Sequence, residues 1–382
     1  MRIRPFLSHK RENAQAVSRL KQTLQVYGAG GWKDTDDLRF GASTEGEIRR
    51  VIAEDVGGFL WWGTRPALES WMINKVEIPA AVERASNEPL FPLVPVFIDL
   101  KPGQNREDIV SVIGDYAEDL LDRNGTVRGT SESAESFRKS VARRYVRDAV
   151  RSLPDGPLDV AFRTLSEPAG EHSLTFDWRP VFDASTRHLD NGSLSVLVDA
   201  LTNAKEALQG RERDPEVRLD LDLPLPLAVL VGHEWRVTSR IRLQIMQRTG
   251  STCTWVNAAG STEAMPEPGV EVYDRLGPAV LAVSCGGSFD KVAKRYAAEQ
   301  NASRLVSLHA PGLLNARQMR AMARKAAGCL QDINAHGLHK HLLIKGPVSM
   351  AVMIGAASNA SGPVTLPFWD GSKYVSHITV AS

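Results

Sequence analysis

Short apolar runs of strand length alternate with stretches at helical spacing along most of the chain, and this alternation limits the possible folds more than any other feature. Residues 2–8, 57–62 and 90–98 read as strands. Residues 12–26, a stretch starting near Ser43 or Thr44, and residues 68–85 read as helices between them. Strands separated by helices and short loops predict an α/β fold, a parallel sheet covered by helices. From about residue 171 a second α/β pattern runs on, with strands expected at 217–221, 227–231, 279–283, 305–308, 342–344 and 352–354. Residues 126–170 differ: a polar stretch, then a basic helix with Arg138, Lys139, Arg143, Arg144, Arg147 and Arg151, then several prolines and glycines. The expected organisation is a first domain over 1–125, a helical connector over 126–170 and a second domain over 171–382. The basic helix reads as a solvated face with ion pairs or as a phosphate contact.

One internal echo stands out. Ala228-Val229-Leu230-Val231-Gly232 returns as Ala351-Val352-Met353-Ile354-Gly355. Two tandem Rossmann-like halves would leave such a trace.

Composition excludes several classes. A net charge of +1 over 382 residues argues against a protein that coats DNA. Cys253, Cys285 and Cys329 form no CxxC pair, which argues for a reducing compartment and against a structural zinc site. No apolar run approaches the roughly 20 residues that span a bilayer, and the N-terminus carries no long apolar segment. The expectation is a soluble cytoplasmic protein that binds neither DNA nor membrane. Neither a GxxxxGK[ST] phosphate loop nor an HExxH metal motif is present. No metal site is expected.

Three features of the first domain belong together. Phe6-Leu7-Ser8-His9-Lys10-Arg11 closes the first strand. The acidic loop from Asp34 to Gly41 follows. Ser70-Trp71 and then Glu77-Ile78-Pro79-Ala80-Ala81 lie on the helix after the Gly58-Phe59-Leu60-Trp61-Trp62 strand. On an ideal helix Ile73, Asn74, Ala80 and Ala81 share the face of Glu77. Pro79 should kink or widen that helix.

In this order the motifs resemble the TIR domain family, whose fold is flavodoxin-like. The resemblance implies cleavage of NAD+ by one glutamate on the helix after the third strand, which maps onto Glu77. Breaking the nicotinamide–ribose bond builds oxocarbenium character at the sugar. Nicotinamide leaves as a neutral molecule, so no general acid is needed, and one carboxylate can stabilise the developing charge. The resemblance further implies that Ser8, His9, Lys10 and Arg11 help hold the dinucleotide. Lys10 and Arg11 read equally as solvated charges at a helix start. Trp71 is the family's tryptophan, although it stands six residues before Glu77 where the family usually has four. Asp37, Leu38, Phe40 and Gly41 lie in the loop that closes the site of a neighbouring copy.

The second domain resembles SAVED, a sensor of bacterial CBASS antiphage systems built of two fused CARF-like Rossmann units. The residues that carry this are Pro226 to His233, Ala282 to Phe289, and the His341 to Ala351 run with its strand–Gly-Pro–helix order. The resemblance implies binding of a cyclic oligonucleotide, a cyclic oligoadenylate and in first place the trinucleotide. Ser284, Gly286, Gly287 and Ser288 can bring backbone N–H groups to a phosphate, and Lys345, Gly346 and Pro347 can do the same with an added charge. His233, Arg236 and Arg240 follow the first-half run. Trp369 and Tyr374 can stack on a base. Core packing and simple turns are the plain alternatives for these aromatics and serines. Cys285 reads as a small buried residue.

Taken together, the two resemblances imply a ligand-gated NAD+ glycohydrolase. The cyclic nucleotide activates it, NAD+ is substrate rather than cofactor, and head-to-tail filaments complete composite TIR sites. The alternatives are a non-catalytic TIR adaptor assembled by the same ligand, and an NADase that needs no ligand.

Overall fold

The computed structural model describes residues 3–33, 44–123, 125–167, 171–211, 214–249, 252–260, 262–263, 265, 267–287, 289–312 and 314–381. The chain forms two compact units. The first comprises Met1–Asp155, Ala169–Asp177 and Glu206–Arg211; the second comprises Gly156–Pro168, Trp178–Lys205 and Glu212–Ser382.

In the first unit the apolar runs become parallel strands β1 (Pro5–Ser8), β2 (Gly58–Gly63), β3 (Leu93–Phe97) and β4 (Thr126–Val127), adjacent in that order. A parallel bridge joins Trp32 to Phe6 on the far side of β1. Counting that bridge as the second strand gives the order 2-1-3-4-5, which is flavodoxin-like. Every residue of β1, β2 and β3 is buried, as expected when helices cover both faces of a parallel sheet. Those helices are α1 (Ala14–Val26), α2 (Thr44–Arg50), α3 (Ile78–Asn87), α4 (Arg106–Ile113), α5 (Tyr116–Leu121) and α6 (Ala134–Arg151). Aromatic rings fill the core: Phe6 stacks on Trp32 at 4.6 Å and on Phe59 at 5.6 Å.

Helix α6 is the basic helix of the expected connector, and it lies within the first unit. It buries Phe137, Val141, Tyr145, Val146 and Val150 along one stripe, and Arg143, Arg144, Arg147 and Arg151 take the opposite face. The Ser133 hydroxyl caps its N-terminus by accepting the Ser136 N–H.

The second unit contains a repeated layout. Strands β5 (Leu158–Arg163), β6 (Glu216–Asp222) and β7 (Arg242–Thr249) run parallel in that order, and β8 (Thr252–Asn257) pairs antiparallel with β7. A further sheet has six strands in the order β9 (Gly269–Val272), β11 (Arg304–Ala310), β10 (Ala279–Cys285), β12 (Lys340–Lys345), β13 (Val364–Trp369), β14 (Tyr374–Val380). There β10, β12 and β13 are parallel, and β14 turns back antiparallel on β13. The unit's helices are α7 (Asn191–Gln209), α8 (Leu225–Glu234), α9 (Asp290–Glu299), α10 (Ala316–Ala335) and α11 (Val348–Ala357). The run β6–α8–β7–β8 thus returns as β12–α11–β13–β14. Asp222 and Lys345, Pro224 and Pro347, and Gly232 and Gly355 each stand 123 positions apart.

The echo therefore marks a structural repeat, but on helices. The runs expected as strands at 227–231 and 352–354 are the middles of α8 and α11. Both helices are buried on every side, from Pro226 to His233 and from Ser349 to Ala356. A helix buried all round has no polar face and therefore no 3.6-residue period to read. Among the described residues no helix is long and apolar enough to cross a membrane.

Candidate functional site

Strands β10 and β12 are neighbours, and their C-terminal ends place Ser284 beside Lys345. Open α/β sheets bind ligands at such strand ends. After Cys285 the chain turns through Gly286 (φ 74°) and Gly287 (φ 146°), left-handed conformations that favour glycine. The Lys345 ammonium folds against this turn, 3.4 Å from where a Cβ on Gly287 would sit. Gly346 lies against Cys285: a Cβ there would come within 3.0 Å of Sγ. Pro347 is the N-cap of α11 and gives its first N–H groups no side-chain cap. The Ser284 hydroxyl is hydrogen bonded to His309 Nδ1 on β11 at 2.9 Å. Burial pushes the Cys285 thiol up, against the opposing pull of Lys345, so it stays protonated at neutral pH.

A cavity of about 270 Å³ borders the same strand at Leu342 and Ile344, whose side chains alternate to the sheet face opposite Lys345. Ile344, next to Lys345 on β12, forms part of its wall, with Trp369, Tyr374, Arg187 and the Pro224–Pro226 start of α8. Trp369 is 36% exposed and meets Tyr374 edge-on at 5.1 Å. Tyr374 in turn meets Tyr296 at 4.9 Å, and the Tyr296 hydroxyl is hydrogen bonded to His341 Nδ1 at 2.8 Å. Burial raises both phenols, so they remain neutral donors. Burial, with help from His377 and His339, lowers His341 to about 4.

Of the residues expected to bind the cyclic nucleotide, Ser284, Gly286, Gly287, Lys345, Gly346 and Pro347 come together at the strand ends. Trp369 and Tyr374 line the cavity that Ile344 borders. His233 is packed inside α8 with its side chain 3.5 Å from Glu234. Arg236 lines a different cavity, and Arg240 is exposed. Ser288 lies outside the described residues. Sequence reading missed Arg187, a loop residue at φ 54°. It also missed the Pro224–Pro226 wall, which the 123-residue repeat of Pro347 would have revealed.

In the first unit the sheet order reverses between β1 and β2, the switch point where such sheets leave a crevice. Asn13 Nδ2 donates to Thr64 Oγ1 at 2.9 Å and ties the loop after β1 to the loop after β2. Ser8 and Trp61 are register partners, and neither Ser8 Oγ nor Trp61 Nε1 has a hydrogen-bond partner among the described residues. Asn74 Oδ1 is likewise unpaired there. His9 is held by its own strand, with Nδ1 2.9 Å from the Leu7 carbonyl oxygen. Lys10 is half-buried and Arg11 exposed.

Glu77 is 5% exposed, whereas the nearby Glu69 and Glu83 are exposed. It ends a π-helical turn, Ile73–Glu77, closed by the Ile78 N–H donating to the Ile73 carbonyl. The widening expected from Pro79 is this turn. Proline has no N–H to offer the Lys75 carbonyl, and the Arg49 guanidinium donates to it instead at 3.2 Å. Trp71 is 61% exposed. Asp37, Leu38, Phe40 and Gly41 lie outside the described residues. Among the described residues no cluster of His, Cys, Asp or Glu could hold a metal.

No curated protein matches the chain. Among solved structures, the Acinetobacter baumannii Cap4 SAVED/CARF-domain containing receptor with the cyclic trinucleotide 3'3'3'-cAAA is similar at 15% identity and TM-score 0.49. It covers 88% of this chain and 84% of its own. The Moraxella osloensis Cap4 receptor is similar at 11% identity and TM-score 0.44, over 99% of this chain and 86% of its own. Residues 200–380 match the model of the SAVED family, the SMODS-associated and fused to various effectors sensor domain, which places a SAVED domain in that stretch.

Proposed function

We propose that the chain is an NAD+ glycohydrolase gated by a cyclic oligonucleotide. The observation that carries the sensor reading is Lys345 folded against the Gly286–Gly287 turn at the ends of β10 and β12; a cavity walled by Ile344, Trp369 and Tyr374 borders the same strand β12. Phosphate would meet the ammonium, the Gly287 N–H and the open start of α11, while a base would stack on the indole; the Gly286 N–H is already given to the Ala310 carbonyl. The match of this segment to a sensor family supports the same reading. A cyclic oligoadenylate, in first place the trinucleotide, is the proposed ligand.

The buried Glu77, on a π-helical turn, supports the catalytic half of the proposal. Its carboxylate would face the ribose and stabilise the oxocarbenium-like charge as nicotinamide leaves. NAD+ is substrate, and no further cofactor is proposed. Ligand-driven head-to-tail assembly would complete each site with a loop from the next copy.

The exposure of Trp71 favours the second reading, a TIR adaptor without turnover. The deciding experiment mixes purified protein with NAD+, alone and with cyclic di-, tri- and tetranucleotides, and follows nicotinamide by chromatography. Release with one ring supports the gated enzyme. Assembly by light scattering with no release under any ring supports the adaptor. Release without any ring overturns the gating.

A further inference from the structure

A second cavity in the same unit, of about 340 Å³, is lined by Arg236, Arg320 and Arg324. Among the described residues no Asp or Glu lines it, and alanines with Met353 supply most of the remaining wall. Arg320 and Arg324 lie four positions apart on α10, so they share one helix face. Arg320 is 9% exposed, and its guanidinium donates to the Asn257 carbonyl at 2.9 Å. Arg324 donates to the Gly260 carbonyl at 3.0 Å, and Arg236 to the Asn359 side-chain oxygen at 3.4 Å. The acceptors of Arg236 and Arg324 are neutral, and a guanidinium has five N–H donors. At the end of α11 the Ser358 N–H and hydroxyl take the Ile354 carbonyl and the Asn359 N–H takes the Ala357 carbonyl, with no arginine involved in these bonds.

The cavity is distinct from the strand-end site. Residues at the start of α8 line the aromatic cavity, while Arg236 lies just past the end of α8. Ten helical residues, about 15 Å, separate them. Its volume exceeds a bare phosphate and falls at the lower end of small-molecule pockets. Guanidinium forks suit a phosphate dianion, and an alanine–methionine wall suits an apolar body attached to it.

We propose that this cavity is a second anion site, taking a phosphomonoester of mononucleotide size, with Arg236 and Arg324 on the phosphate and the Ala–Met353 wall on the base and sugar. The inference does not depend on the strand-end reading.

The test is calorimetric titration of the full chain with AMP and, separately, with inorganic phosphate. Both should bind, AMP more tightly. Arg324→Gln, at an exposed position, and Arg236→Gln should each weaken AMP binding about tenfold or more. Ala259→Leu, another exposed lining position, should weaken AMP more than phosphate by filling the space for the base. AMP binding should persist in Lys345→Met, which removes the strand-end ammonium, and Arg324→Gln should weaken it by the same factor in that background. Circular dichroism checks that each variant is folded. The proposal is overturned if AMP does not bind, if Arg324→Gln and Arg236→Gln bind it as the parent does, or if Lys345→Met alone abolishes binding.

Discussion

Gly232 and Gly355 hold α8 and α11 in backbone contact from both sides. A Cβ on Gly232 would stand 2.0 Å from the Val352 carbonyl oxygen, and one on Gly355 would stand 2.1 Å from the Val229 carbonyl oxygen. Each glycine meets the residue three positions before the other. Such reciprocity is what a local two-fold relation between the repeated halves requires. The same crossing joins the two halves of the second unit and fixes the start of α8, which borders the aromatic cavity.

Either Gly232→Ala or Gly355→Ala should therefore be strongly destabilising. No side chain can swing aside, because the obstacle is backbone, and overpacking of this kind costs about 1–3 kcal/mol or more. Thermal unfolding should fall sharply for each single variant. The double variant should cost less than the sum, because separating the helices once relieves both clashes. Additive losses would mean that the two contacts are independent.

What the sequence displayed depended on whether local chemistry or distant chain made the feature. Strands such as β2 and β10 were readable because short apolar runs end at glycine or polar turns. The Gly286–Gly287 turn was readable because paired glycines after a strand have few other uses. Helices α8 and α11 were misread for want of a polar face, although Pro224 and Pro347 stand where a helix begins. Pro79 announced the π-helical turn before Glu77 through its missing N–H. Arg187 and the Arg236–Arg320–Arg324 grouping gave no signal, since their neighbours come from distant segments.

Lys345→Met should weaken cyclic-nucleotide binding about tenfold or more and flatten its salt dependence, since one phosphate contact is lost. Trp369→Ala should cost about 1–3 kcal/mol of binding through lost stacking. Because Trp369 is partly exposed, its removal should leave the unfolding midpoint nearly unchanged. Fluorescence anisotropy of a labelled ring separates the two effects.

Stability should depend on His341 in a defined direction. Its folded value of about 4 lies below the ordinary histidine value of 6.5. Between those values the unfolded chain binds the proton and the folded chain does not, so stability falls as pH drops from 6.5 toward 4. Above 6.5 the contribution is constant. Coulombic repulsion from His377 and His339 lowers His341 in the same direction. His341→Gln should reduce the drop in unfolding midpoint between pH 7 and pH 5. An unchanged drop would place the acid sensitivity elsewhere.

Glu77→Gln offers the sharpest test of the proposed chemistry. The substitution keeps the side chain's size inside a buried π-helical turn, so folding and ligand-driven assembly should persist. It removes the negative charge that would stabilise the ribosyl cation, and loss of one preorganised electrostatic group commonly costs about 100- to 1,000-fold in kcat. Ligand-stimulated nicotinamide release should fall by at least that much. The exposed Glu69 and Glu83 on the same stretch of chain serve as controls, and their glutamine variants should keep full activity. Release that survives in Glu77→Gln and disappears in Glu69→Gln or Glu83→Gln would move the catalytic role to that other carboxylate. Release that survives in all three would take the chemistry away from this helix.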